Sequence, residues 1–206
     1  MFFTNDFISS IILLFILLNP FLVIIYLIDL VQKCSFSEFL RITVRAGLIS
    51  LSVFILFALT NNFIFSSIIM AEFASFQIFG GVVFLIIGIR FVFKGVDAIQ
   101  ELRGKPKQII GTLTMPILIG PGTISASIVI GETLPNPLAL AAIIISVAMS
   151  ISIMLMLKVL HDIISSKKEE LVQRYIEITG RITALVVGTF SIELIMSGVS
   201  SWYQNF

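Results

Sequence analysis

The chain has 206 residues, of which 58% are hydrophobic and only 12% are charged, and its mean hydropathy is +1.11. Soluble domains carry about 25% charged residues and about 45–50% apolar ones, so this composition excludes an ordinary soluble domain and indicates a membrane protein. The net charge of +1 gives no general attraction for nucleic acid, and no polar linker divides the sequence. We therefore expect a single integral membrane domain over residues 1–206.

Cysteine and histidine each occur only once, as Cys34 and His161. One cysteine excludes an internal disulfide, and one histidine argues against a His-rich metal site. The sequence also lacks the phosphate-binding motif G-x-x-x-x-G-K-[ST] of ATP-driven subunits. We therefore predict neither a cofactor nor a metal, and we expect that the protein is not an enzyme.

Six apolar stretches are long enough to cross a bilayer, whose hydrocarbon core of about 30 Å requires about 20 helical residues. The first follows a segment, Met1–Asp6, that contains neither Lys nor Arg, so we interpret it as a transmembrane helix rather than a signal peptide. The second has the least clear limits, because Arg45 lies at its start and Asn61 at its end. The predicted spans are approximately Phe7–Leu30, Ile42–Asn61, Phe73–Phe93, Ile109–Ile130, Leu138–Leu157 and Ile182–Val199.

Positive charge is distributed unevenly between the links that join these spans. Every Lys and Arg lies in or beside the links after spans one, three and five. Because Lys and Arg accumulate on the cytoplasmic side of short loops, we predict that both termini lie outside the cytoplasm. The residues are Lys33, Arg41, Arg45, Arg90, Lys94, Arg103, Lys105, Lys107, Lys158, Lys167, Lys168, Arg174 and Arg181.

Two spans contain helix-breaking residues close to their centres. Asn19-Pro20 lies about 18 Å from the outer end of span one, and Gly120-Pro121-Gly122 lies about 17 Å from the inner end of span four, at 1.5 Å per residue. Proline removes one backbone donor and clashes with the carbonyl four residues earlier. Such breaks are tolerated in lipid only where the freed groups face protein or a polar cavity. Matched breaks in two halves of a membrane protein point to a transporter's binding site.

The breaks also suggest an internal repeat. Three spans per half would place the second half upside down relative to the first, so we predict a 3+3 inverted repeat of residues 1–100 and 108–206, approximately. One register pairs Gly88 with Gly188, and a competing register pairs Gln77 with Arg181. The sequence does not decide between the two registers.

The residues around the second break resemble those of a known family. Met115-Pro116, followed by Gly120-Pro121-Gly122-Thr123-Ile124, is similar to the M-P-x-x-x-G-P-G-T-I signature of the MarC family of membrane proteins. Asn19-Pro20 occupies the place of that family's N-P or D-P pair, and Ile78-Phe79-Gly80-Gly81 is similar to its third-helix pattern. The resemblance extends over nearly the whole chain.

The resemblance implies an all-α, six-helix protein of the bacterial-type cytoplasmic membrane, within the LysE transporter superfamily. Some members of the family are described as carriers of small neutral amino acids. The chain departs from the family pattern at Leu22 and Ile25, where many members have Gly and Pro, and at Ala184, where Gly is usual. These departures bear on the substrate more than on the fold.

The second break is the main candidate for a substrate site. A half-helix that begins near Gly122 would present free N–H groups and a positive dipole end, which suits the carboxylate of an amino acid. Asn19 could bind the ammonium group. Alternatively, each proline only kinks a packed helix, while Asn19 and Thr123 complete the local hydrogen bonds. The candidate binding residues are Asn19, Pro20, Gly120, Pro121, Gly122, Thr123 and Ser125.

Glu193 is the only carboxylate well inside a predicted span, about 13 Å from the outer interface at 1.5 Å per residue. Ionisable residues inside a membrane are costly and are functional candidates by default. We therefore consider Glu193 a candidate for proton coupling. The alternative is a protonated side chain that is hydrogen-bonded to a neighbouring helix.

These features favour a secondary transporter of small solutes, with small neutral amino acids as the substrate class that the family resemblance implies. Two other classes stay open: a non-transporting partner or assembly protein, and a membrane-embedded enzyme. The expected partners are a small-molecule substrate and the lipid bilayer, without nucleic acid. The sequence leaves the oligomeric state, the transport direction and the coupling ion undetermined.

Overall fold

The computed structural model describes residues 2–20, 23–24, 27–60, 63–64, 67, 72–94, 118–165 and 169–204. The regular structure of these residues is entirely helical. In chain order the helices are α1 (Phe2–Leu18), α2 (Ile28–Lys33), α3 (Phe36–Thr60), α4 (Phe73–Lys94), α5 (Pro121–Thr133), α6 (Asn136–Ser165) and α7 (Glu169–Gln204).

Four of these helices are long and apolar enough to cross a membrane: α3, α4, α6 and α7. They correspond to predicted spans two, three, five and six, so the prediction of an all-helical membrane protein is confirmed. Predicted spans one and four do not each contain one long helix among the described residues. α1 is a shorter apolar helix of 17 residues, and the first half of span four, 109–117, lies outside the described part of the chain.

Two helices begin before the spans that are predicted within them. α3 begins at Phe36, well before Ile42, because Ser35 and Glu38 form a reciprocal cap at its N-terminus. The N–H and the hydroxyl of Ser35 both donate to Glu38 Oε2 at 3.0 Å, and the Glu38 N–H donates to Ser35 Oγ at 3.3 Å. α7 begins at Glu169, so it extends far beyond the apolar stretch that starts at Ile182.

Helices α1, α2, α3, α5 and α6 pack around one core, which we call the bundle. The buried positions of α3 recur at intervals of three and four residues, which places them on one face of the helix. Positions in α6 that lie 100 residues later are also buried. The matching residues are Phe39, Thr43, Ala46, Gly47, Ser50, Phe54 and Ala58 in α3, and Ala139, Ile143, Ser146, Val147, Ser150, Met154 and Lys158 in α6.

Helices α4 and α7 form a second unit, the helix pair, in which the two backbones run antiparallel in close contact. A Cβ atom built on Gly81 would lie 2.7 Å from the backbone oxygen of Ser191, and one built on Gly88 would lie 3.2 Å from the nitrogen of Gly188. Small residues at such a seam allow helices to approach closely in a membrane. They recur every seven positions, as Ala74, Gly81 and Gly88 in α4 and as Ala184, Ser191 and Gly198 in α7.

Candidate functional site

The helix pair meets the bundle at the glycine turn, Gly120-Pro121-Gly122. Gly120 is the N-cap of α5 and has extended backbone, with φ −102° and ψ 166°. Pro121 is the first residue of the helix, a position where its missing N–H has no intrahelical partner to lose and its fixed φ already suits the helix. The glycine and proline residues that the sequence analysis singled out as a helix break therefore form the start of α5.

Thr123 stabilises this turn through its side chain, which is fully buried. The N–H of Gly120 donates to Thr123 Oγ1 at 3.0 Å, and the Thr123 hydroxyl lies 2.9 Å from the carbonyl oxygens of both Leu118 and Gly120, to which it can donate. The hydroxyl is thus engaged with the backbone of its own turn. This geometry is the local hydrogen bonding that the alternative interpretation of Thr123 predicts.

Near its N-terminus α5 has polar groups that find no partner among the described residues. The N–H of Ile124 donates to the Gly120 carbonyl at 3.0 Å, whereas the first N–H groups of a helix have no intrahelical acceptor. The N–H groups of Gly122 and Thr123 have no acceptor among the described residues, although both residues are buried. The hydroxyl of Ser125, which is 2% exposed, also has no hydrogen-bond partner there. This end of α5 is therefore a buried, positively polarised group of donors.

Three side chains, from the helix pair and the turn, pack close to the glycines. Pro121 lies directly against Gly80 of α4. A Cβ built on Gly120 would lie 3.0 Å from Phe84 Cζ, and one built on Gly122 would lie 2.6 Å from Phe84 Cε2 and 3.2 Å from Leu194 Cδ1. Close packing therefore favours glycine at positions 120 and 122.

Asn19 and Pro20 directly follow the end of α1, a helix that contacts α5. Asn19 has a positive φ of 41°, in the left-handed region that Asn tolerates better than most residues. Its N–H donates to the Phe15 carbonyl at 3.1 Å, and its carbonyl accepts from Val23 at 3.1 Å. The helical hydrogen bonding thus continues past Asn19 while the backbone conformation changes there.

The comparison with family models identifies the chain. The model of the MarC family of integral membrane proteins matches residues 4–203, nearly the whole chain. The chain belongs to the MarC family. No curated protein and no solved structure matches this member of the MarC family.

The structure separates Glu193 from the glycine turn of this MarC protein. Glu193 lies within α7 with its side chain exposed, whereas the next residue, Leu194, faces Gly122. No described residue donates a hydrogen bond to the Glu193 carboxyl group, so the bond that the alternative interpretation of Glu193 requires is not found in the described part of the chain.

Lys158 of α6 is a buried polar residue that sequence reasoning did not single out. Only 2% of Lys158 is exposed. Its Nζ donates to the Val31 carbonyl at 2.6 Å and to Asp162 Oδ1 at 2.5 Å. Val31 lies in the last turn of α2, where carbonyls lack intrahelical donors. Lys158 therefore ties the end of α2 to α6.

Phe84 and Leu194 are the residues at the glycine turn that sequence reasoning missed. Both lie in apolar stretches, where aromatic and aliphatic side chains face lipid, core and binding sites alike. No sequence signal separates these roles at the two positions. The described residues contain no group of three or more His, Cys, Asp or Glu that could hold a metal ion.

Proposed function

We propose that this MarC family protein is a secondary transporter of small neutral amino acids, of the glycine and alanine class. The observation that carries the proposal is the buried N-terminus of α5, where the N–H groups of Gly122 and Thr123 have no acceptor among the described residues. A buried N–H without a partner is destabilising. A bound carboxylate would supply the missing acceptors.

The chemistry of this helix end favours a small zwitterion. The N–H groups and the helix dipole attract a carboxylate without a buried cation, and α5 has no acidic residue in its first turn that would repel one. The Ser125 hydroxyl offers a further polar contact because it has no partner among the described residues. Because side chains pack closely at Gly120 and Gly122, a substrate with a large side chain would find little room there.

We also propose that helices one and four are broken near the midplane within a 3+3 inverted repeat, an architecture that many secondary transporters use for alternating access. The repeat is supported by α3 and α6, because the buried positions of α3 match buried positions of α6 that lie 100 residues later in the sequence. In the helix pair, buried positions of α4 instead match buried positions of α7 that lie 110 residues later. This register pairs Gly81 with Ser191 and Gly88 with Gly198. This register differs from both registers that the sequence suggests.

The proposed location is the cytoplasmic membrane, with both termini outside the cytoplasm. Its support is the position of every Lys and Arg in or beside the links after spans one, three and five. Reporter fusions in the 103–107 link should give a cytoplasmic signal. A signal from the outer side would contradict this topology.

Proton coupling through Glu193 is part of the proposal, because an ionisable side chain inside a span carries a cost that function must offset. Glu193→Gln keeps the shape of the side chain but cannot ionise. We expect its transport to lose the pH dependence of the unmodified protein. Transport with an unchanged pH profile would exclude the coupling role.

Counterflow into liposomes that contain only the purified protein tests the transport proposal. Glycine, alanine, serine and threonine are the substrates to screen. We expect Gly120→Leu to lower the rate at least about tenfold, since a misplaced binding geometry can cost about 10²-fold. The matched control is Gly188→Leu, because nothing lies within 4 Å of a Cβ at Gly188. Unaltered transport in Gly120→Leu and in Asn19→Ala would exclude the proposed site.

A second pair of variants, at Asn19, distinguishes a role of its backbone conformation from a role of its side-chain amide. Asn19→Gly keeps access to the positive φ of 41° and removes the amide, whereas Asn19→Ala removes both. Loss of transport in both variants would show that the amide contributes to binding. Recovery in Asn19→Gly alone would assign Asn19 a conformational role.

A further inference from the structure

Two residues from the two helices of the helix pair converge on the glycine turn. Phe84 of α4 lies next to the places that a Cβ atom would occupy on Gly120 and on Gly122. Leu194 of α7 lies next to the place of a Cβ atom on Gly122. Both side chains are half-buried, so part of each ring or chain is in contact with the turn and part is open.

The positions of Phe84 and Leu194 correspond to each other in the helix pair. They are 110 residues apart, which is the separation at which the burial of α4 and α7 matches. Both side chains lie close to the Cβ position of Gly122, Phe84 from α4 and Leu194 from α7. An aromatic ring and a smaller aliphatic chain therefore reach the turn from different helices of the pair.

We propose that Phe84 and Leu194 set the upper size limit of the substrate side chain at the glycine turn. This inference rests on the proposed function, since it assigns the specificity of the same site. The ring of Phe84 already lies 2.6 Å from the place of a single carbon atom on Gly122, and Leu194 lies 3.2 Å from it. A substrate that reaches the α5 N-terminus with a hydrogen or methyl side chain displaces these two groups least.

The two side chains are expected to contribute unequally. Phe84 touches both glycines and is the larger group, so its truncation opens more space than truncation of Leu194. One methylene in an apolar pocket changes discrimination by about 10- to 200-fold. Removal of the ring should therefore relax the preference for small substrates strongly, and Leu194→Ala should relax it less.

The test is counterflow of glycine, alanine and leucine in liposomes by the full-length protein and its variants. In Phe84→Ala we expect the leucine-to-glycine ratio of kcat/KM to rise at least about tenfold, mainly through a lower KM for leucine. Phe84→Leu should give an intermediate ratio and keeps a branched side chain against the turn if Phe84→Ala does not fold. Phe79→Ala is the matched control, because Phe79 lies on the same helix and is 64% exposed.

The outcomes separate the two proposals. If the unmodified protein moves none of the three amino acids, both the transport proposal and the size limit are wrong. If it moves glycine or alanine while Phe84→Leu and Phe84→Ala keep the unmodified ratio, only the size limit is wrong. A raised leucine ratio in Phe79→Ala as well would likewise contradict a specific role for Phe84.

Discussion

The bundle and the helix pair hold their helices together in different ways. The bundle buries large side chains completely, among them Phe39, Phe54 and Met154. The helix pair instead brings backbone close to backbone at Gly81. Lipid tails are as apolar as leucine, so packing rather than the hydrophobic effect drives association in both units. The bundle should therefore tolerate lost volume, whereas the helix pair should not tolerate added volume.

The largest expected effect is that of added volume in the seam of the helix pair. In Gly81→Leu, the new Cβ would lie 2.7 Å from the backbone oxygen of Ser191, so the helices have to separate. Overpacking costs about 1–3 kcal/mol and occasionally more, and we expect a loss of about 3 kcal/mol or more here. Unfolding by sodium dodecyl sulfate measures it, with fluorescence of the single tryptophan, Trp202, as the signal.

Gly188→Leu adds the same side chain to the other helix of the pair, where nothing lies within 4 Å of a new Cβ. We expect it to leave the unfolding midpoint close to that of the unmodified protein. Equal destabilisation by the two substitutions would mean that the seam is not the tight contact described here.

A smaller effect is expected from lost volume in the bundle. Phe54→Ala removes a fully buried ring, but the unfolded helix stays in lipid, so the water-transfer part of the usual cost is absent. The cavity term of about 24 cal/mol per Å³ then gives a loss of about 2 kcal/mol. The same unfolding assay measures it, with the exposed Phe79→Ala as control. A loss as large as that of Gly81→Leu would remove the distinction between the two units.

The smallest effect concerns a polar contact of the bundle, between Lys158 of α6 and the end of α2. Lys158→Met leaves the Val31 carbonyl without this donor, and we expect a loss of about 1 kcal/mol. The end of α2 should also open more often. Cys34 follows α2 directly and is the only cysteine, so its rate of maleimide labelling reports the opening.

Faster labelling of Cys34 in Lys158→Met is the expected result. Arg45→Met is the control, because Arg45 is another cation within a span but is exposed. An unchanged labelling rate in Lys158→Met, with the protein folded, would show that Lys158 does not hold α2 closed.

Hydropathy predicts the membrane-spanning helices α3, α4, α6 and α7 because a run of apolar residues has few other uses. It does not predict their limits. α3 begins early because the Ser35–Glu38 cap adds a polar turn before the apolar run. The Ser-x-x-Glu pattern of this cap is visible in the sequence, so a search for caps would have placed the start correctly.

The candidate site was predictable only in part. Gly120, Pro121 and Gly122 are conspicuous in an apolar run because their backbone properties are unusual there. The engagement of Thr123 with its own turn, and the outward position of Glu193, depend on helix rotation, which hydropathy does not determine. Phe84 and Leu194 reach the turn from distant parts of the chain, so only the packing of the helix pair reveals them.

The length of α7 has a mechanical consequence. Its 36 residues extend about 54 Å at 1.5 Å per residue, against a hydrocarbon core of about 30 Å. The part from Glu169 to Thr183 therefore projects beyond the span at the end opposite Trp202. Because α7 is continuous over these residues, a tilt of the projecting arm would be passed along the helix to Leu194, which lies against the glycine turn.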